Sequence, residues 1–458
     1  MRRKAVGAIV GATAAVLACT AYLVADAHDV VPGVLTLSDA PAPSDPPTLT
    51  ARPRGATPDA PQSGTAVPGG AVATLWKPVL RAAAEGKWTS WGVVLDADTG
   101  EVLLDSDASR VHTPASTTKI LTALSALDHL DESGTLDTGV SLSGTDLYLW
   151  GQGDLMLARG NGDPTAVDGH AGVADLARTA IAALKDRGIA RVNLYWDGQI
   201  FDGVDHLGAW DSQGVGNYEG RVGAFAIDTG RTAAGAYSFV QDPARDVATE
   251  FAANLRNAGI EAVVTSTASP PDRAAEIARV SSATVGQQLR WMLHHSDNTL
   301  ADQYCHLTAR AAKAPTTFAG AVSTLTRTLG DLGVSTQGLT LEDCSGLSST
   351  DRISATTLAG AIRTTMGSEK SNLRDLVRSL PWGGLEGTLG SRYTHGDAAA
   401  NAQAKTGSLG SVSSLAGVVD TTSGRTLVFA IGNDAVPDGG AYWTRSALDA
   451  FVQGLAGL

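Results

Sequence analysis

From Val72 onward the apolar positions change period several times, and each change predicts an element. The stretch "WGVVLDADTGEVLLDSDASR" (91–110) carries two strand-like runs around an Asp-x-x-Thr-Gly turn, which predicts a β-hairpin. After Ser116 the spacing becomes helical, through Ile120, Leu121, Leu124 and Leu127. Within residues 141–275, "GVADLARTAIAALKDRGIARVNLYWD" reads as an amphipathic helix, a glycine stop and a strand. "PARDVATEFAANLRNAGIEAVVTS" repeats that order, which predicts α/β packing in a module of its own. From about residue 284 a helix runs to a break at Ser296-Asp297 and a second helix follows. The end of the chain predicts antiparallel strands joined by a Thr-Thr-Ser-Gly turn, then a closing helix over about 440–456. The sum is an α+β chain, 72–140 with 276–458, interrupted by an inserted module at 141–275.

The start of the chain has another texture. Arg2, Arg3 and Lys4 precede an uncharged stretch from Ala5 to Ala25. A secretory apolar region is usually about 7–15 residues, whereas a spanning helix needs about 20. Residues 1–27 therefore read either as a membrane anchor through residues 5–25, positive end inside, or as a signal cleaved at Ala25-Asp26-Ala27. Val16-Leu17-Ala18-Cys19 fits a lipoprotein box badly because Leu17 is bulky. Every reading gives export to the cell envelope. Residues 28–71, including "APAPSDPPTLTARPRGATPDAPQSGTAVPGG", hold too little apolar surface to fold and predict a disordered, Pro-rich tether.

The 458 residues exceed what one ordinary core needs, and 43% hydrophobic with 18% charged residues is an ordinary globular composition. A net charge of -13 argues against nucleic acid or an anionic bilayer surface as partner, leaving the membrane only the N-terminal segment.

Lysine is scarce, eight against 26 arginines, so the position of each one carries information. In "PASTTKILTAL" (114–124), Ser116 and Lys119 stand one helical turn apart, on one face of a helix that starts there. A serine needs an adjacent base to become a nucleophile. A lysine serves as that base only when burial or a nearby cation lowers its pKa, and Ile120, Leu121 and Leu124 supply apolar surroundings. Alone, an S-x-x-K is expected by chance about half a time in such a composition. Two further motifs change the odds. Ser296-Asp297-Asn298 lies at the helix break, and Lys405-Thr406-Gly407 opens a strand with a cation, a hydroxyl and a glycine that would let a ligand approach closely.

S-x-x-K, S-D-N and K-T-G in this order resemble the penicillin-binding proteins and class A β-lactamases. Ser116 and Ser296 are 180 positions apart, more than a compact β-lactamase leaves room for. That spacing, with "DCSGLSSTDRISA" (343–355), "LPWGGLEGTLGSR" (380–392) and "KTGSL" (405–409), resembles the low-molecular-mass class C penicillin-binding proteins, D-alanyl-D-alanine carboxypeptidases of peptidase family S13. The resemblance covers nearly everything from residue 72; the insert and Cys344, where a small residue is expected, depart from it. It implies a β-lactamase/transpeptidase-like catalytic domain, an antiparallel sheet flanked by helices. It also implies a serine-type D-Ala-D-Ala carboxypeptidase, extending to endopeptidase cleavage of cross-links, that acts on peptidoglycan stem peptides without a cofactor and is inhibited by β-lactams.

Carried over residue by residue, the resemblance makes Ser116 the nucleophile and Lys119 its base, with Ser296 relaying the proton to the leaving amine. Asn298 holds the substrate amide and orients Lys119. Lys405 raises the local positive potential and pushes Lys119 toward the neutral base. Thr406 and Ser408 take the terminal carboxylate beside Gly407, and the backbone N–H groups of Ser116 and Ser408 form the oxyanion hole. The alternatives are a β-lactamase or esterase of the same chemistry, or a non-catalytic wall-binding protein, although Ser116, Lys119 and Lys405 are all intact. His294 and His295 are adjacent on a helix, about 100° apart, and make a poor metal pair. Cys305 and Cys344 are open to either reading, a disulfide in an exported protein or two core thiols.

Overall fold

The computed structural model describes residues 64–437 and 440–458. The N-terminal segment and most of the tether lie outside the described residues. Among those described, no helix is long and apolar enough to cross a membrane. The tether was expected to extend through residue 71, but a helix, Gly69–Gly86, starts earlier. Val67 is already buried, and Pro68 precedes the helix, where its missing N–H costs nothing.

The part of the chain that carries the S-x-x-K and K-T-G motifs is built on a five-stranded antiparallel sheet, in the order Ala402–Leu409, Val412–Asp420, Thr426–Asp434, Thr89–Asp96 and Val102–Ser106. Alternate residues of these strands enter two different cores, as the two-residue period of a strand requires. Val94, Leu415, Val419, Phe429 and Ile431 pack against Trp76 of the first helix and Phe451 of the last helix, Ala441–Ala456. Val93, Ala416, Val418, Val428 and Ala430 pack on the opposite face against Ile120 and Leu124 of the helix Lys119–His129 and against Leu358 and Ile362 of the helix Ala355–Met366. Both faces are covered, which is why these strands read as nearly continuous apolar runs.

The second sheet has the order Ala275–Ser281, Asp137–Ser143, Asp146–Gly151, Arg191–Trp196 and Glu261–Thr267. Its first two pairings are antiparallel and its last two parallel. A parallel pairing needs a crossover, and the two amphipathic helices legible in the sequence, Val173–Asp186 and Pro243–Asn257, are those crossovers. They bury Leu176, Ala180, Val247 and Phe251 in a separate core with Leu147, Leu149, Val192 and Leu194. None of these strands joins the first sheet. The outer two strands extend the second sheet a few residues beyond 141–275, because no change of texture marks them in the sequence.

Cys305 and Cys344 form a disulfide with Cα atoms 6.2 Å apart, closing a loop across a sequence separation of 39. It ties the helix Asn298–Ala311 to the loop that begins at Asp343. Loop-closure entropy for that length is worth about 4 kcal/mol. Cys344→Ala is therefore expected to lower the Tm of oxidised protein by several degrees, and adding reductant to the wild type should reproduce the shift. A Tm insensitive to both would show that the bond does not constrain folding.

Candidate active site

The serine of S-x-x-K sits on a turn held open by unusual backbone. Ala115 takes a left-handed conformation, φ 49°, which is rare for a residue with a Cβ. Ser116 follows in the single 3₁₀ turn Ala115–Thr118, and the α-helix proper begins at Lys119. The turn is clamped from two sides. Thr117 and Ser414 both donate hydroxyl hydrogen bonds to Pro114 O, each at 2.7 Å. Gly346, φ 78°, approaches so closely that a Cβ there would stand 2.0 Å from Ala115 O. Strain of this kind persists only where the surroundings over-determine it.

Lys119 is completely buried. Its Nζ has three partners: Ser116 Oγ at 2.9 Å, Asn298 Oδ1 at 2.7 Å and Ser345 O at 2.7 Å. Two of them, an amide oxygen and a carbonyl, can only accept hydrogen bonds. A neutral amine in this position spends its two N–H groups on them and is left with a lone pair facing Ser116 Oγ. Asn298 is itself fixed by donating from Nδ2 to Tyr218 O at 2.9 Å. Burial pushes the Lys119 ammonium down to about 8, while the carboxyls of Glu219, Asp343, Asp302 and Asp297 pull it back up.

Ser296 ends the helix Val285–His295 in a left-handed conformation, φ 55°, which turns the chain sharply before Asn298 starts the next helix. Its hydroxyl accepts from Lys405 Nζ at 2.9 Å. Asp297, between the two site residues, is structural: it caps the second helix through Leu300 N at 2.9 Å and pairs with Arg231 at 2.9 Å. Thus Ser116, Lys119, Ser296 and Asn298 are brought together, and Lys405 joins them through Ser296.

The K-T-G strand is more enclosed than its sequence suggests. Lys405 is completely buried, and its ammonium also donates to Thr406 O at 2.9 Å. Burial, with the neighbouring Lys119 adding to it, pushes Lys405 well below the ordinary lysine value. Lys119 is lowered first by its own burial, and the two buried ammonium groups disfavour each other. Gly407 is buried as well, and a Cβ there would stand 2.1 Å from Ser414 Oγ and 2.7 Å from Pro114 O. The glycine is needed so that the strand can reach the nucleophile turn, a closer requirement than any ligand. Thr406 Oγ1 donates to Thr388 Oγ1 at 3.0 Å, and Ser408 Oγ accepts from Arg445 at 2.8 Å.

Several residues were not found by sequence reasoning. Ser345 supplies the third partner of Lys119 and belongs to a loop organised by the buried carboxylate of Asp343. That carboxylate accepts from Gly346 N at 2.7 Å, Ser348 N at 2.8 Å and Trp210 Nε1 at 2.8 Å. The signal was present in "DCSGLS". Val215 and Tyr218 come from the insert yet line the cleft of about 300 Å³ that opens over Ser116, together with Asn298, Leu347 and Ser408. No charged side chain lines it.

Known proteins share this layout. A profile of the D-Ala-D-Ala carboxypeptidase 3 (S13) family matches residues 79–238 and 232–455. A carboxypeptidase of Mycobacterium tuberculosis is 34% identical over 376 residues, covering 79% of this chain and 78% of its own. Carboxypeptidase DacB of Mycolicibacterium smegmatis is 35% identical over 374 residues, 79% of each chain. The crystal structure of penicillin-binding protein 4 of Haemophilus influenzae, at 20% identity, superposes with a TM-score of 0.63 over 84% of this chain and 98% of that one. The same protein has also been solved in complex with a β-lactam, and it matches with a TM-score of 0.64. A serine–lysine pair on a strained turn, the matching fold and these relatives lead to one statement: the chain belongs to the D-Ala-D-Ala carboxypeptidase 3 (S13) family.

Proposed function

We propose that this serine-type D-Ala-D-Ala carboxypeptidase works through an acyl-enzyme on Ser116. The observation that carries the reading is the environment of Lys119 Nζ, which leaves its lone pair to Ser116 Oγ. Lys119 takes the serine proton as Oγ attacks the penultimate D-Ala carbonyl of a stem peptide. Ser296, bonded to Lys405, relays the proton taken up by Lys119 to the departing D-Ala amine, which leaves Lys119 neutral again. Asn298 orients Lys119 and meets the substrate amide, and the N–H groups of Ser116 and Ser408 receive the oxyanion. Water then hydrolyses the ester. β-Lactams enter the same path and acylate Ser116.

The protein works outside the cytoplasm, where peptidoglycan lies; residues 5–25 serve as anchor or signal, and the residues between 28 and the buried Val67 as spacer. The inserted module, 141–275, acts as an accessory wall of the cleft through Val215 and Tyr218. The direct test is incubation with a stem pentapeptide, mass spectrometry of the products, and mapping of the penicilloyl adduct. Release of one D-Ala and a label on Ser116 are expected. A label on another residue would overturn the assignment.

The base carries a pH signature. Neutral Lys119 is the reactive form, and it is populated above a value of about 8. The acylation rate constant should therefore rise about tenfold per pH unit below that value and level off above it. A rate independent of pH between about 6 and 9 would remove Lys119 from the role of titrating base.

A further inference from the structure

The carboxylate that defines a carboxypeptidase substrate needs a cation, and the lysine expected to supply it is sealed inside the protein. We propose that Arg445, on the C-terminal helix, is the specificity residue that receives the terminal carboxylate of the substrate at Ser408. The proposal rests on the carboxypeptidase reading given above.

Arg445 is half-buried, and its guanidinium donates to Ser408 Oγ at 2.8 Å. Ser408 is exposed and lines the cleft over Ser116. Because its oxygen is taken by Arg445, its own hydrogen is free to point at an incoming acceptor. The arginine is held from beneath by Tyr442, whose ring centroid lies 4.9 Å from the guanidinium carbon. Among the described residues no carboxylate lies within ion-pairing distance of it. The nearby Arg392 is different: it forms a two-pronged pair with Asp449, with Nε 3.0 Å from Oδ1 and 3.2 Å from Oδ2, which neutralises it.

A half-buried cation with no ion-pair partner among the described residues is costly to keep, and a bound carboxylate reduces that cost. An arginine beside a serine hydroxyl offers the planar, bidentate donor set that a carboxylate fits. The remaining K-T-G groups cannot replace it. Lys405 spends its donors on Ser296 and Thr406 O, and Thr406 is hydrogen-bonded to Thr388. The charge recognised by this site thus comes from the end of the chain and not from the motif.

The test compares two stem pentapeptides, one with a free terminal carboxylate and one amidated, using wild type, Arg445→Gln and Arg445→Lys. Losing one charge-assisted contact should lower kcat/KM of Arg445→Gln on the free acid by about 10- to 100-fold, mainly through KM. The amidated peptide should lose little, and Arg445→Lys should recover part of the loss. The preference of the wild type for the free acid should also weaken as salt is added. A wild type indifferent to amidation would overturn the carboxypeptidase reading and the arginine's role together. A discriminating wild type whose Gln variant loses equally on both peptides would overturn the arginine's role alone.

Discussion

Ser116→Ala protein should fold, melt close to the wild type, and take up no β-lactam. Its release of D-Ala should fall on the order of 10⁶-fold, the scale seen when a nucleophile that acts as a unit with its base is removed. The folding part follows from position: Ser116 is only half-buried, and the turn is held by Thr117, Ser414 and Gly346 rather than by its own hydroxyl. Lys119 keeps two of its three partners in that variant. Lys119→Met, which keeps a similar volume without the amine, should leave the serine in place and unactivated. The double variant should then be no worse than either single one, because neither group works without the other. Two losses that multiply would mean that serine and lysine act independently, and a Ser116→Ala protein that still binds label would refute the assignment. Intact-mass spectrometry of each variant after incubation with penicillin, beside its Tm, reads all of these outcomes.

Much of this arrangement was written locally in the chain. The pairing of Ser116 with Lys119 needs only helical geometry across one turn, and burial of the lysine needs only Ile120, Leu121 and Leu124 around it, all of which are fully buried. The crossover helices of the insert and the hairpins of the main sheet likewise follow from their own period and their glycine stops. What could not be read were contacts made over long sequence separations. Ser345 O reaches Lys119 from 226 positions away, and no local pattern marks a carbonyl for such work. Arg445 is one arginine among 26, in a helix whose sequence announces only amphipathicity. The burial of Lys405 was not legible either: nothing around it in its strand shows that the fold encloses it completely and sets it against Ser296. Gly407 differs: the need for a small residue was legible, but the neighbour imposing it, the Pro114–Ala115 turn, lies in another part of the chain.

Penicillin should act on this enzyme as a trap, with an adduct on Ser116 that outlives the natural acyl-enzyme by orders of magnitude. Acylation needs the serine and its base, and these stand 2.9 Å apart. Rapid hydrolysis of the penicilloyl ester needs something more, a carboxylate poised to activate water, as class A β-lactamases have. No carboxylate lines the cleft above Ser116. The carboxyls of Glu219 and Asp302 are both buried, which raises them above the usual carboxylate range, and neither opens on the water of the cleft. Asp302 is further committed, accepting from Cys344 N at 2.8 Å. With a stem peptide the D-Ala diffuses away and water takes its place beside Ser296. With penicillin the leaving nitrogen stays tethered through the ring and occupies that place. A missing general base is worth about 10²–10⁴-fold, which at about 1.4 kcal/mol per tenfold is roughly 3–5.5 kcal/mol of barrier to deacylation. The measurement is the decay of the Ser116 adduct after free drug is removed, followed by intact mass, beside steady-state penicillin hydrolysis. Persistence for minutes to hours with no sustained hydrolysis is expected on that scale of barrier. An adduct that decays within seconds while penicillin is turned over would mean that a water-activating base stands over Ser116 after all.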